Sequence, residues 1–400
     1  MTTDLLHRIG LIRMSGRDPR QSHRVASPLE LFFDLVFVVA VSQASQSLHH
    51  GIAEGHAAET TLSYAMVFFA IWWAWMNFTW FASAFDTDDW LYRVTTIAQM
   101  AGVLVLAAGV HDAMAEGDWA TVTWGYVIMR LALVTQWLRL ALSDPENRSI
   151  ALRYAAGIAI VQVLWLARLL LDGPAQFWTF WVMVALEFLV PVWAERKRRT
   201  PWHPHHIAER FSLFTLILLG ESLLASANSI IGARNGEARV DGLIGLAVAG
   251  IVTAAALWWV YFSRAQGERL TRNSRGFAFG YAHYLIFAAI GAVSAGIEVE
   301  LDLLTGEAEH LTVATASLAF TIPVAVYMVM AWAVLLRGQV SGAASAIFLV
   351  CAGGVLLCAI APVFTVAGTA VLLCVAVAVM ERERARARSV SGLETARHDG

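Results

Sequence analysis

Twelve stretches of mostly apolar residues follow one another along this chain, each long enough to cross a hydrocarbon core of about 30 Å as a helix. They constrain its fold more than any other feature. The stretches lie at 29–49, 60–81, 94–114, 119–141, 150–171 and 175–194, then at 207–231, 240–263, 277–299, 311–336, 341–361 and 363–380. Hydrophobic residues make up 58% of the chain and charged residues 15%, which sets it apart from soluble domains. Its 16 Trp and 20 Phe suit membrane–water interfaces, where aromatic side chains gather. The expected fold is all-α and polytopic, with the lipid bilayer as its surroundings.

The polar segments between the stretches set the orientation. Arg8, Arg13, Arg17, Arg20 and Arg24 precede the first span, and Arg196, Lys197, Arg198 and Arg199 follow the sixth. Arg264, Arg269, Arg272 and Arg275 follow the eighth, and Arg382, Arg384, Arg386 and Arg388 follow the twelfth. With twelve spans all four groups share one side, whereas the opposite loops hold only Arg234 and Arg239. Positive charge stays inside, so a multi-pass membrane protein with both termini cytoplasmic is expected. The chain divides into a tail (1–26), two six-helix halves (27–199 and 200–388) and a second tail (389–400). A shift of 186 residues (258 − 72) lays Trp72-Trp73 on Trp258-Trp259, Arg24 on Arg210, Asp112 on Glu298 and Glu195-Arg196 on Glu381-Arg382. Six spans per half make the halves parallel repeats about an axis along the membrane normal.

Charges inside apolar runs are the candidate functional residues, because a carboxylate in hydrocarbon is expensive. Ser27 and Glu30 have the spacing of a capping box, with Pro28 at the first helical position. Asp34 shares a face with Glu30 four residues earlier, and Arg24 and Arg93 are its candidate partners. Glu221 lies near the middle of the seventh span, in LLGESLL; Gly220 before it would let another backbone approach. Glu221, Asp34, Gln43, Ser222 and Glu187 are read as lining an ion path between the repeats. Glu30, Arg24, Arg210 and Arg130 are read as structural charges, with Arg130 and Glu187 pairing across helices. Arg168 is a further intramembrane charge. His203-Pro204-His205-His206 reads as a solvated linker rather than a metal site. Asp86, Asp88 and Asp89 read as a cap with local partners such as Arg93. Cys351, Cys358 and Cys374 read as packing residues.

Three motifs carry a family resemblance. LELFFDLVFVVAVSQ (29–43), IWWAWMNFTWF with DTDDW (71–90) and ERFSLFTLILLGES (209–222) resemble the bacterial low temperature requirement protein A family. The resemblance spans nearly the whole chain and implies a multi-pass bacterial membrane protein. The first helix also resembles that of the endosomal and lysosomal potassium-channel family, which uses six-helix repeats. That family reads Phe-Ser-Asp where this chain has Phe33 before Asp34, and no TVGYG-like filter is present.

These features favour movement of a cation, a proton or a small solute across the membrane. The alternatives are an enzyme acting on a lipid at the cytoplasmic face, built on Asp34, Asp86, Asp88, Asp89 and Arg93, and an envelope sensor or scaffold. No P-loop, dinucleotide-binding, GxSxG or HExxH motif occurs, so no enzyme activity, cofactor, metal or nucleic-acid partner is expected; a homo-oligomer is compatible with the sequence. The topology has a direct test. Reporters fused after Gly55, Glu116, Gly236 and Gly306 should read external, and those after Thr200 and Val390 internal. A firmly reversed result in the second half contradicts both the orientation and the repeat.

Overall fold

The computed structural model describes residues 10–19, 21, 24–235, 240–267, 270 and 273–398. Arg8, Arg20, Arg239, Arg269 and Arg272 lie outside the described residues, as do the side chains of Arg234, Arg275 and Arg388. The described residues form no strand. Twelve helices carry the apolar stretches: α1 Pro28–Ala53, α2 Ala57–Phe85, α3 Trp90–Ala108, α4 Ala120–Ser143, α5 Arg148–Arg168, α6 Gly173–Glu195, α7 Pro204–Asn235, α8 Val240–Phe262, α9 Asn273–Thr305, α10 Val313–Ala331, α11 Gly342–Cys358 and α12 Thr365–His398. Eleven of them are long and apolar enough to cross a membrane; α11, with 17 residues, is apolar but shorter. The starts obey side-chain capping. Asp89 accepts the N–H of Tyr92 at 3.0 Å ahead of α3, Thr312 accepts that of Thr315 ahead of α10, and Ser341 accepts that of Ala344 ahead of α11. Each satisfies an orphan donor of the first turn.

The helices fall into two compact units. The first comprises the described residues up to 44 together with 63–213. Here α3 packs on α4, α4 on α5 and α5 on α6, while α6 meets α2 through Phe69 and Phe188, whose rings lie edge to face at 5.7 Å. α3 and α4 come together at paired glycines: a Cβ on Gly102 would stand 2.9 Å from the carbonyl oxygen of Gly125, closer than atoms pack. The second unit comprises 45–62 and the described residues from 214 onward. Here α9 packs on α10, α10 on α11, α11 on α12, and α12 on α8. Gly296 brings α9 against the backbone of α10, where a Cβ would lie 2.6 Å from the oxygen of Ala319. The order of neighbours is the same in the two units. Burial is not: Trp72 and Trp73 are buried, whereas Trp258 and Trp259 are exposed.

α2 is the most enclosed span, with 78% of its apolar stretch buried against 67% for α9. Trp72, Trp73 and Trp75 on it are fully buried, so these indoles are core groups and not the interfacial markers their abundance suggested. For Trp73 and Trp75 the reason is hydrogen bonding, described below.

The segment before α1, expected as a tail, is stitched across one end of the first unit at its described residues from Leu11 to Pro19 and at Gln21 and Arg24. The N–H of Ile12 donates to Asp89 at 2.9 Å and that of Gly16 to Asp144 at 3.1 Å. Met14 is fully buried, and Arg17 pairs with Asp86 at 3.3 Å. The Asp89 side chain also takes Arg139. Burial works against the Asp89 charge, but Arg139 and two backbone N–H groups outweigh it and hold the carboxyl below the usual range. Asp86 goes the other way: burial, and then the charge of Glu30, push it up to about 6. A carboxyl whose pKa is raised on folding binds its proton more tightly when folded. Its ionisation therefore opposes the fold in full above about pH 6, and that opposition fades as the pH falls from there to the ordinary aspartate value of about 4. Asp86→Asn should thus raise thermal stability at pH 8, by on the order of 1–3 kcal/mol, and converge with the parent protein only below about pH 4, the ordinary aspartate value. A stability difference independent of pH contradicts this assignment.

Candidate functional site

The site grows from the first turn of α1. Ser27 and Glu30 form the capping box: the Ser27 N–H donates to Glu30 Oε2 at 2.8 Å, and the Glu30 N–H to Ser27 Oγ at 3.3 Å. The box fixes the rotamer of Glu30 and leaves its second oxygen for another partner. Asp34, one turn on, presents its carboxylate on the same face, and both are at most 1% exposed. α7 supplies a matching pair, His206 and Arg210, also four residues apart and buried. The Arg210 guanidinium donates to Glu30 Oε1 at 2.7 Å through Nη1, to Asp34 Oδ2 at 3.0 Å through Nε and to Asp34 Oδ1 at 2.5 Å through Nη2. The last two form the two-pronged geometry that a guanidinium gives a carboxylate. Trp75 of α2 adds its indole N–H to Asp34 Oδ1 at 2.7 Å.

His206 completes the cluster, its Nε2 lying 3.2 Å from Glu30 Oε1. Facing a carboxylate, Nε2 carries the hydrogen, which leaves Nδ1 as a lone pair; that atom is buried and without a partner. His203 behind it is fixed in the same tautomer, since its Nε2 meets the carbonyl of Gln21 at 2.8 Å and its Nδ1 accepts the His206 N–H at 3.2 Å. Burial pushes the His203 imidazole down. The His203–His206 stretch is therefore packed and hydrogen-bonded, not a solvated linker, because its rings close the end of the first unit against α1 and the Gln21 backbone. His205 alone is exposed. Two carboxylates sharing one guanidinium leave one negative charge in excess while His206 is neutral.

The expected partners of Asp34 are engaged elsewhere. Arg24 donates to the carbonyls of Ser83 at 2.6 Å and Ala82 at 2.7 Å, at the negative end of α2. Arg93 is held by Asp88 at 2.9 Å. Arg210, read only as a structural charge, is the true counter-ion, and Glu30 is both a cap and an ion-pair member. Removing one partner of such a buried pair costs about 3–5 kcal/mol, mostly by leaving the other unpaired.

A second buried carboxylate lies across α2. Glu187 of α6 pairs with Arg130 of α4 at 2.9 Å, as its sequence context suggested. It also accepts Trp73 Nε1 at 2.8 Å, Tyr126 OH at 2.7 Å, Gln162 Nε2 at 3.2 Å and Trp165 Nε1 at 3.3 Å. Trp73 and Trp75 are two residues apart, about 200° around a helix, so α2 offers one indole to each carboxylate from opposite faces. The sequence signal for these donors was the tryptophan density itself, together with Tyr126 four residues before Arg130 and Gln162 three before Trp165.

Gln43 is half-buried on α1. Glu221 is half-buried and Ser222 buried on α7 in the second unit, where the Ser222 hydroxyl finds no partner among the described residues. Asp34 and Glu187 thus occupy separate networks in the first unit, and Glu221 lies in the second. Gly220 does not serve close packing: a Cβ there would meet nothing within 4 Å, because its face of the helix is exposed.

The family model described as "Bacterial low temperature requirement A protein (LtrA)" matches residues 25–380. The chain belongs to that family. The match covers every helix from α1 to α11 and both carboxylate networks of this LtrA-family chain. An uncharacterized protein of Rhizobium meliloti (strain 1021) is 26% identical over 288 residues, covering 66% of this chain and 68% of that one. No solved structure matches.

Proposed function

We propose that this LtrA-family protein moves an ion or small solute across the bacterial plasma membrane and that the Glu30–Asp34–His206–Arg210 cluster is where it binds a coupling proton. The observation that carries this reading is the unequal charge of a cluster sealed from solvent. Glu30 and Asp34 share Arg210, and the neighbouring imidazole has one buried nitrogen free to take a proton. The charged groups acting on His206 are Glu30 from α1, Arg210 from its own helix and Arg24 from the segment before α1. Protonating His206 would neutralise the excess charge; removing that proton would restore it. Charged groups kept inside membrane helices commonly serve such relays.

Two further features support the reading. The recurrent order of helix neighbours in the two units is what a duplicated transporter fold would give, and the arginine distribution favours a cytoplasmic position for the first turns of α1 and α7, where the cluster sits. The acidic residues that a lipid-modifying enzyme would need are already occupied: Asp86 by Arg17, Asp88 by Arg93, and Asp89 by Tyr92, Ile12 and Arg139. A purely structural scaffold remains the competing reading, favoured by the close fit of Arg210 between both carboxylates.

Flux decides between them. Purified protein in liposomes holding a pH-sensitive dye should show protein-dependent proton movement under imposed proton, potassium or sodium gradients. His206→Gln keeps an N–H toward Glu30 but cannot take a second proton, and should lower that flux at least tenfold with the protein folded and inserted. Equal flux in the variant, or none in the parent protein, favours the scaffold.

A further inference from the structure

The Glu187 network has the opposite imbalance, and it points to a ligand. Arg130 is 1% exposed and Arg168, at the end of α5, 3%. Arg130 spends Nη2 on Glu187, while its Nε and Nη1 have no acceptor. Arg168 donates Nε to the carbonyl of Gln176 at 2.9 Å, while its Nη1 has none. No described carboxylate lies within ion-pair distance of Arg168; its guanidinium carbon instead sits 5.5 Å from the ring of Trp119, 5.7 Å from that of Trp165 and 5.4 Å from that of Phe180.

The two arginines belong to one interior. Arg130 stacks over Tyr126 at 5.7 Å, and the Tyr126 ring lies 5.9 Å from Trp165, against which Arg168 and Phe180 also pack. Tyr126 and Trp165 both donate to Glu187. Two guanidinium groups therefore share this interior with one carboxylate, which among the described residues pairs with Arg130 alone. A guanidinium does not lose its proton in a protein, so this excess cannot be removed by titration. Aromatic faces attract the cation but do not accept the in-plane N–H groups left over here. Water could accept them without balancing the charge. An anion does both.

We infer that the interior of the α2, α4, α5 and α6 bundle binds a small monovalent anion at the unpartnered guanidinium N–H groups of Arg130 and Arg168. Arg168 closes α5, Gln176 lies in the first turn of α6 and Trp119 immediately precedes α4, so the site is reached from the α5–α6 end of the bundle. This deepens the transport reading by giving the sign of the solute's charge, while the binding itself does not depend on transport.

Binding separates the two. The full chain in nanodiscs of neutral lipid would be dialysed against radiolabelled chloride and acetate, with nitrate as competitor. Saturable binding of one anion per chain is expected for at least one of the three. Arg168→Gln should weaken it at least tenfold, and Arg168→Lys, which keeps the charge, should retain much of it. Arg130→Gln combined with Glu187→Gln replaces the ion pair by neutral amides and should also weaken binding, with thermal stability reporting that both variants are folded. Absence of saturable binding for all three anions, or equal binding in Arg168→Gln, overturns the inference. Loss of proton flux in His206→Gln with anion binding intact bears only on the proton site.

Discussion

Two indole N–H groups on one buried helix make the first unit possible. Hydrocarbon offers no water to a carboxylate, so each buried acid must find all its donors within the protein. α2 meets that demand twice, with Trp75 on Asp34 and Trp73 on Glu187. An indole is suited to this role, since its ring packs as a large apolar body while its single N–H is directed. Each acid then draws in its arginine, Arg210 from α7 and Arg130 from α4, and each arginine ties a further helix to α2. The helix interiors are joined by polar contacts as well as by packing, in an environment where apolar side chains gain little by leaving lipid for protein.

Neither network is electrically balanced. Around Asp34 the acids outnumber the guanidinium, and a histidine with an open nitrogen stands beside them. Around Glu187 the guanidiniums outnumber the acid, and three of their nitrogens lack acceptors. A fold selected for stability alone would pair such groups evenly or replace them by apolar ones, since buried ion pairs seldom outperform a well-packed apolar core. Retained imbalance of opposite sign on the two faces of α2 is the feature on which the proposed proton and anion sites rest.

The helices were legible in the sequence because span length and apolarity are set by the bilayer, and each expected span overlaps one of α1 to α12, eleven of which are long and apolar enough to cross. The Ser27–Glu30 cap and the Arg130–Glu187 pair were legible for local or compositional reasons. What was not legible was partner choice over long separations. Arg210 lies 176 residues from Asp34, and nothing local distinguishes it from Arg24, which is nearer in sequence but held by the carbonyls closing α2. The His203–His206 stretch looked polar and exposed because its burial comes from the segment around Gln21 and from α1 rather than from its own neighbours. The tryptophans were misread for a related reason: composition counts indoles but does not tell an interfacial one from one donating to a buried acid.

The dependence on α2 is tested most directly by a double-mutant cycle of Trp75→Phe with Asp34→Asn, measured as unfolding free energy in detergent or bilayer. A hydrogen bond to a charged group predicts a coupling energy of about 1.5–3 kcal/mol between the two positions, with a similar value for Trp73→Phe with Glu187→Gln. Losses that add within about 0.5 kcal/mol would contradict the assignment of the two indoles as the donors that hold these carboxylates in the membrane.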